Sequence, residues 1–202
     1  MKHICTETII TLQNQSTIDW HIHAPSITHD ELLGLIQSNH MQNFLLWHEE
    51  DRARRNDMGF EFVFHAKRAI DKFNQERNNF MERIDEFISK LLPAPSPHCP
   101  IHTETPGMII DRLSILNLKK YHMAEETSRH DAPITHKEKC LLRLSSITGQ
   151  LLDLQNNLQV LLNQCFTSER TFRVYYQHKM YNDSSLNPEL RNETRTSTSC
   201  IS

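Results

Sequence analysis

Between residues 135 and 166, apolar side chains return every three or four positions: Cys140, Leu144, Ile147, Leu151, Leu154, Leu158, Leu161 and Cys165. That spacing stacks them on one face of a helix and predicts a single long element. A sustained repeat of this kind also fits a two-stranded coiled coil, so a homodimer is one expectation. Leu141, Leu142, Leu152 and Leu162 widen the face beyond a narrow seam, which favours the central helix of a bundle. Val63, Ala66, Ile70, Phe73, Phe80, Ile84, Phe87 and Leu91 make a second stripe and predict a helix over 60–92, with Arg77 as its polar interruption.

Start and stop signals delimit two further long helices. One runs over 29–55, capped by Ser26 or Thr28, with Asp30 and Glu31 in its first turn and Asn56-Asp57-Met58-Gly59 ending it. The other runs over 106–128, with Thr105 as cap and Pro106 at the first helical position, where its missing N–H costs nothing. Pro93, Pro95, Pro97 and Pro100 make a stiff connector ahead of it, and 129–134 link it to the last long helix. A shorter helix is expected over 169–181. Residues 1–27 read as an irregular N-terminal segment and the polar stretch 191–202 as a disordered tail. The expected architecture is all-α, an antiparallel bundle of four long helices plus a shorter C-terminal helix, forming a single domain over 28–190.

Composition narrows the function classes. With 202 residues, only four glycines and a net charge of −3, the chain has room for one core and no electrostatic case for binding nucleic acid. No apolar run approaches the ~18 residues of a membrane span. The first residues show no apolar signal region, and the five cysteines are odd in number and scattered, which suits a reducing cytoplasm.

The candidate chemistry is a polar seam. Asp111, Arg112, Lys119 and His122 are threaded through a helix otherwise rich in Ile and Leu, and charges in such a setting need partners from other helices. Asn39, Asn43, Trp47, Glu50, Asp51 and Arg54 share one face of the 29–55 helix; Lys67, Asp71, Asn74, Arg77 and Asn78 flank the stripe of the next. Convergence of these faces would make a ligand site from Trp47, Asp71, Asn74, Arg77, Arg112 and Lys119, with the guanidinium groups on an anion and Trp47 stacking a base or sugar. It would also permit acid–base work by His48 or His122, oriented by Asp51 or Asp111. The alternative is a self-satisfied network fixing helix register, with Arg77 paired to Asp51 or Asp111. His98-Cys99-Pro100-Ile101-His102 and His21-Ile22-His23 offer metal-ligand atoms but no second pair at a recognised spacing, so neither metal nor cofactor is expected. With no Gly-x-Ser-x-Gly and no glycine-rich phosphate loop, nucleophilic catalysis has no support.

Three blocks together resemble the bacterial domain of unknown function 4254 family: Asn43 to Arg54; Lys67-Arg68-Ala69-Ile70-Asp71 continued by Asn74 to Asn78 and Glu82 to Asp85; and Thr105 to Met123. A weaker fourth is Lys179 to Asp183 with Leu186-Asn187-Pro188. The resemblance implies an all-helical cytoplasmic protein of bacteria, often encoded near cell-surface glycan genes, and implies no activity. Two functions follow as expectations. One is an accessory or interaction protein with a protein partner, linked to glycan assembly or a secretion apparatus, which should expose an apolar or aromatic patch, for instance around Tyr175, Tyr176 and Tyr181. The other is a binder or enzyme for an anionic sugar or nucleotide, which should keep a concave pocket where cations outnumber carboxylates.

Overall fold

A computed structural model of the chain describes residues 4–180 and 183–191. It contains α1 (Thr6–Ile22), α2 (Glu31–Arg52), α3 (Phe60–Leu91), α4 (Pro106–Ser128) and α5 (Ile134–Phe166), with a 3-10 turn at Asn56–Met58. Two short strands, β1 (Ile101–His102) and β2 (Thr171–Phe172), pair in parallel, Ile101 opposite Thr171 and His102 opposite Phe172. The fold is all-α, and the four long helices stand close to where apolar periodicity (α3, α5) and start and stop signals (α2, α4) place them.

Two segments differ from expectation. Residues 1–27 are not irregular throughout: α1 packs against α2, α4 and α5 and sends Ile9, Ile10, Leu12 and Trp20 into the interior. Its buried face also includes Gln13, Ser16 and Thr17, so no apolar period marks it. No helix forms over 169–180. Ser168, at φ 59, ends the helical run, and the β-branched and aromatic residues that follow take an extended path beside β1. The tail beyond residue 191, Tyr181 and Asn182 lie outside the described residues.

α4 is central, touching α1, α2, α3 and α5. Ile9, Ile36, Ile84, Ile88, Ile110, Leu113, Leu158 and Leu162 form the main core, each at 1% exposure or less. Each contributes about 1.5–3 kcal/mol of burial. The start of α4 is pressed against α3. Thr105 Oγ1 accepts from the Met108 N–H at 3.2 Å, as the expected cap. Asp85 of α3 accepts from the Gly107 N–H at 2.6 Å, and a Cβ on Gly107 would lie 2.5 Å from the Met81 carbonyl oxygen. Only glycine permits that approach.

Candidate functional site

α4 turns Asp111, Ser114 and Asn117 inward, each at 2% exposure or less. Asp111 is the hub. Its Oδ1 accepts from Arg77 Nε at 2.8 Å, Asn43 Nδ2 at 2.9 Å and Asn39 Nδ2 at 3.1 Å; its Oδ2 accepts from Arg77 Nη2 at 2.5 Å. This side-on pair, α3 to α4, holds the Arg77 guanidinium above its already high proton affinity, first through the hydrogen bond to Asp111. Both amide protons of Asn39 and of Asn43 are used, the second ones going to the Arg77 carbonyl and to Ser114 Oγ.

From Ser114 the network continues as a directed chain. Thr17 donates its hydroxyl proton to the Gln13 carbonyl at 2.9 Å, so its oxygen accepts from His40 Nε2–H at 2.9 Å. Burial holds His40 neutral, its pKa lowered to about 3. His40 Nδ1 is therefore a lone pair, and Ser114 Oγ–H donates to it at 2.7 Å. Gln13 closes the α1 end, donating to the Ile110 carbonyl and accepting from Asn117.

Above the hub lies a cavity of about 350 Å³ lined by Trp47, Glu50, Asp51, Arg54, Asn74 and Arg77, with Leu46, Ile115 and Leu118 as apolar walls. One face of Trp47 is covered by His122, with ring centroids 4.7 Å apart at 9°. Behind that pair, His21, His48 and His122 sit with centroids 5.1–6.0 Å apart. His48 is held below the ordinary imidazole range, first by burial and then by its two histidine neighbours, against the pull of Asp51 and Glu125. His122 Nδ1 donates to Glu125 Oε2 at 2.8 Å. Among the described residues no group of three His, Cys, Asp or Glu is placed to hold a metal ion, and no helix is long and apolar enough to cross a membrane.

The expected site residues divide. Trp47, Asp51, Asn74 and Arg77 share the cavity, Asp111 lies beneath it, and His48 and His122 stand in the ring cluster beyond Trp47. Arg112, Asp71 and Lys119 do not join them. Arg112 is ion-paired to Glu104 in a separate groove, because one residue further along α4 turns its side chain roughly 100° from that of Asp111. Asp71 is exposed beside Arg68 at 3.7 Å, and Lys119 is exposed. Sequence reasoning missed Gln13, Thr17, His40 and Ser114. The available signal was polar residues three and four positions apart (Gln13, Ser16 and Thr17; Asn39 or His40 with Asn43), which place them on one helical face.

An all-helical protein with a sealed polar centre beneath a small aromatic-walled cavity is the class these features define. The family described as a protein of unknown function (DUF4254) matches residues 33–174, and the chain belongs to that family. The match takes in the three principal blocks; the weaker one after residue 178 lies beyond it. No curated protein and no solved structure matches the chain.

Proposed function

We propose that this is a cytoplasmic bacterial protein that binds a hydroxyl-rich ligand, a sugar unit of a surface glycan or its precursor, in the cavity of Trp47 and Arg77. One observation carries the reading: stretches from α2, α3 and α4, the three blocks of the family resemblance, meet around that single cavity. The charge balance selects the ligand. Arg77 is matched by Asp111, and Arg54 by Glu50 at 2.8 Å, so no surplus cation is left for a bare anion. Asp51, the Asn74 amide and Arg77 Nη1 supply acceptors and donors suited to hydroxyl groups, and Trp47 offers apolar surface for a sugar's C–H face. Of the acid–base candidates only Asp51 lines the cavity, which supports binding rather than catalysis.

Titration of the protein with monosaccharides, nucleotide sugars and sugar phosphates, followed by Trp47 emission in a Trp20→Phe background and by thermal unfolding, tests this. A ligand at a hundredfold over its Kd adds about 2.7 kcal/mol of stability. Asn74→Ala and Asp51→Asn should stay folded and lose the response. Failure of every sugar to change either signal sinks the reading.

A second observation favours the accessory class. Ile134 and Leu142 of α5 are each 74% exposed, and Leu141 and Leu152 of the same helix are exposed too, a surface on which a protein partner or a second copy could dock. Leu142→Glu, with mass measured by light scattering, would abolish any self-association through it. Tyr175 and Tyr176 are also exposed, the latter donating to Glu86 at 2.9 Å.

A further inference from the structure

A larger groove, about 610 Å³, lies between the start of α4, the middle of α5 and the segment leading into β2. His102, Glu104, Arg112, Asp153, Asn157 and Arg170 are among its lining residues. Its cations are not equivalent. Arg112 is committed to Glu104. Arg170 has no carboxylate partner among the described residues, and its Nε is buried without an acceptor. An unpaired buried guanidinium N–H is costly, and such groups are normally satisfied. The remaining acid of the groove does not supply the need. The Arg170 backbone N–H is tied to the Gln164 carbonyl at 3.2 Å, and Asp153 stands roughly 16 Å back along α5 from Gln164 at the helical rise per residue. His102, held opposite Phe172 by the strand pairing, lies at the same end. Its Nδ1–H donates to the Glu104 carbonyl at 2.6 Å, which leaves Nε2 as an acceptor for a hydroxyl group.

We propose that this groove binds an oxyanion, a phosphoryl or carboxylate group on a polar body, seated on Arg170, with His102 Nε2 accepting from a hydroxyl of that body. A small rotation of the Arg170 guanidinium presents Nε and Nη2 side-on to the anion, the same pair of nitrogens that Arg77 gives Asp111. Gln150, Asn157 and Gln164 line the remainder and take the hydroxyl or amide groups of the ligand body. This site is separate from the Trp47 cavity and does not depend on what binds there.

The test is titration of the ¹⁵N-labelled full chain with inorganic phosphate, with acetate and with chloride at matched ionic strength, following the Arg170 Nε–H resonance. That proton should shift saturably with phosphate, acetate or both, and not with chloride; which of the two acts identifies the anion class. Read on the backbone amides of Asn157 and Gln164, which line the groove, Arg170→Gln should weaken binding at least tenfold, equal to 1.4 kcal/mol, while Asn74→Ala leaves it unchanged. An Nε–H that ignores both oxyanions, or affinity retained in Arg170→Gln, overturns the proposal. Should Arg170→Gln fail to fold, the wild-type resonance decides alone.

Discussion

Arg77 and Arg170 are the same side chain in opposite circumstances. Arg77, at the hub, gives Nε and Nη2 to a carboxylate that is itself 2% exposed and shared with two asparagines. Arg170, at the groove, has a buried Nε and no acceptor. The Arg77–Asp111 ion pair is complete without a ligand and belongs to the fold, although Asn39 Oδ1 beside it is buried without a donor; the Arg170 guanidinium is incomplete and belongs to binding. Polar residues in a helical interior thus divide by whether their bonding is finished within the chain, and mutation should separate the two kinds.

The largest effect is expected at the hub. Asp111→Ala leaves the Arg77 guanidinium and two amides without their acceptor and should cost about 3–5 kcal/mol in urea unfolding. Replacing Arg77 and Asp111 together by leucine should cost clearly less than the two single losses added, because neither charge is then stranded.

Next comes pH. Between pH 6.5 and 4 the unfolded chain protonates the His40 position and the folded chain does not, so acid removes about 3 kcal/mol. Asp85 works the other way. Burial raises its carboxyl to about 6, so the folded chain keeps a proton that the unfolded chain releases above about pH 4. Stability then falls by about 2 kcal/mol as pH climbs from 4 to 6. In the wild type the two contributions oppose each other over that range. His40→Gln should expose the falling slope and Asp85→Asn the rising one; parallel profiles for the two variants would contradict the opposition.

Gly107→Ala should follow at about 1–3 kcal/mol, since its Cβ must push back the Met81 carbonyl. Arg112→Gln should be smallest, within about 1 kcal/mol, because its pair with Glu104 is solvent-exposed.

Much of the fold was legible because α3 and α5 carry apolar positions at helical spacing, while caps and breakers, among them Thr105, Gly59, the proline connector and the 129–134 linker, delimit α2 and α4. α1 was not, because its inward face mixes isoleucine with glutamine, serine and threonine whose tertiary partners lie in α2, α4 and α5. The Arg77–Asp111 pair was readable as one of two alternatives; the choice of Asp111 over Asp51 depended on α4 packing across α3. Arg112 was misplaced by treating neighbours in sequence as neighbours in space. Arg170 was invisible, since nothing local marks an arginine whose partner is missing.

The hydrogen bonds from Asn43 through Ser114, His40 and Thr17 to Gln13 all run in one sense, and they cannot be reversed piecemeal. A proton arriving on His40 Nδ1 evicts the Ser114 hydroxyl hydrogen, and the carbonyl one turn back, Ile110, is already engaged by the helix and by Gln13. Relief requires the Asn43 amide to turn over, withdrawing a donor from Asp111. Acid entering at His40 is therefore felt at an ion pair it never touches, and the loosening of Arg77 on acidification should report the state of a histidine separated from it by Asp111, Asn43 and Ser114.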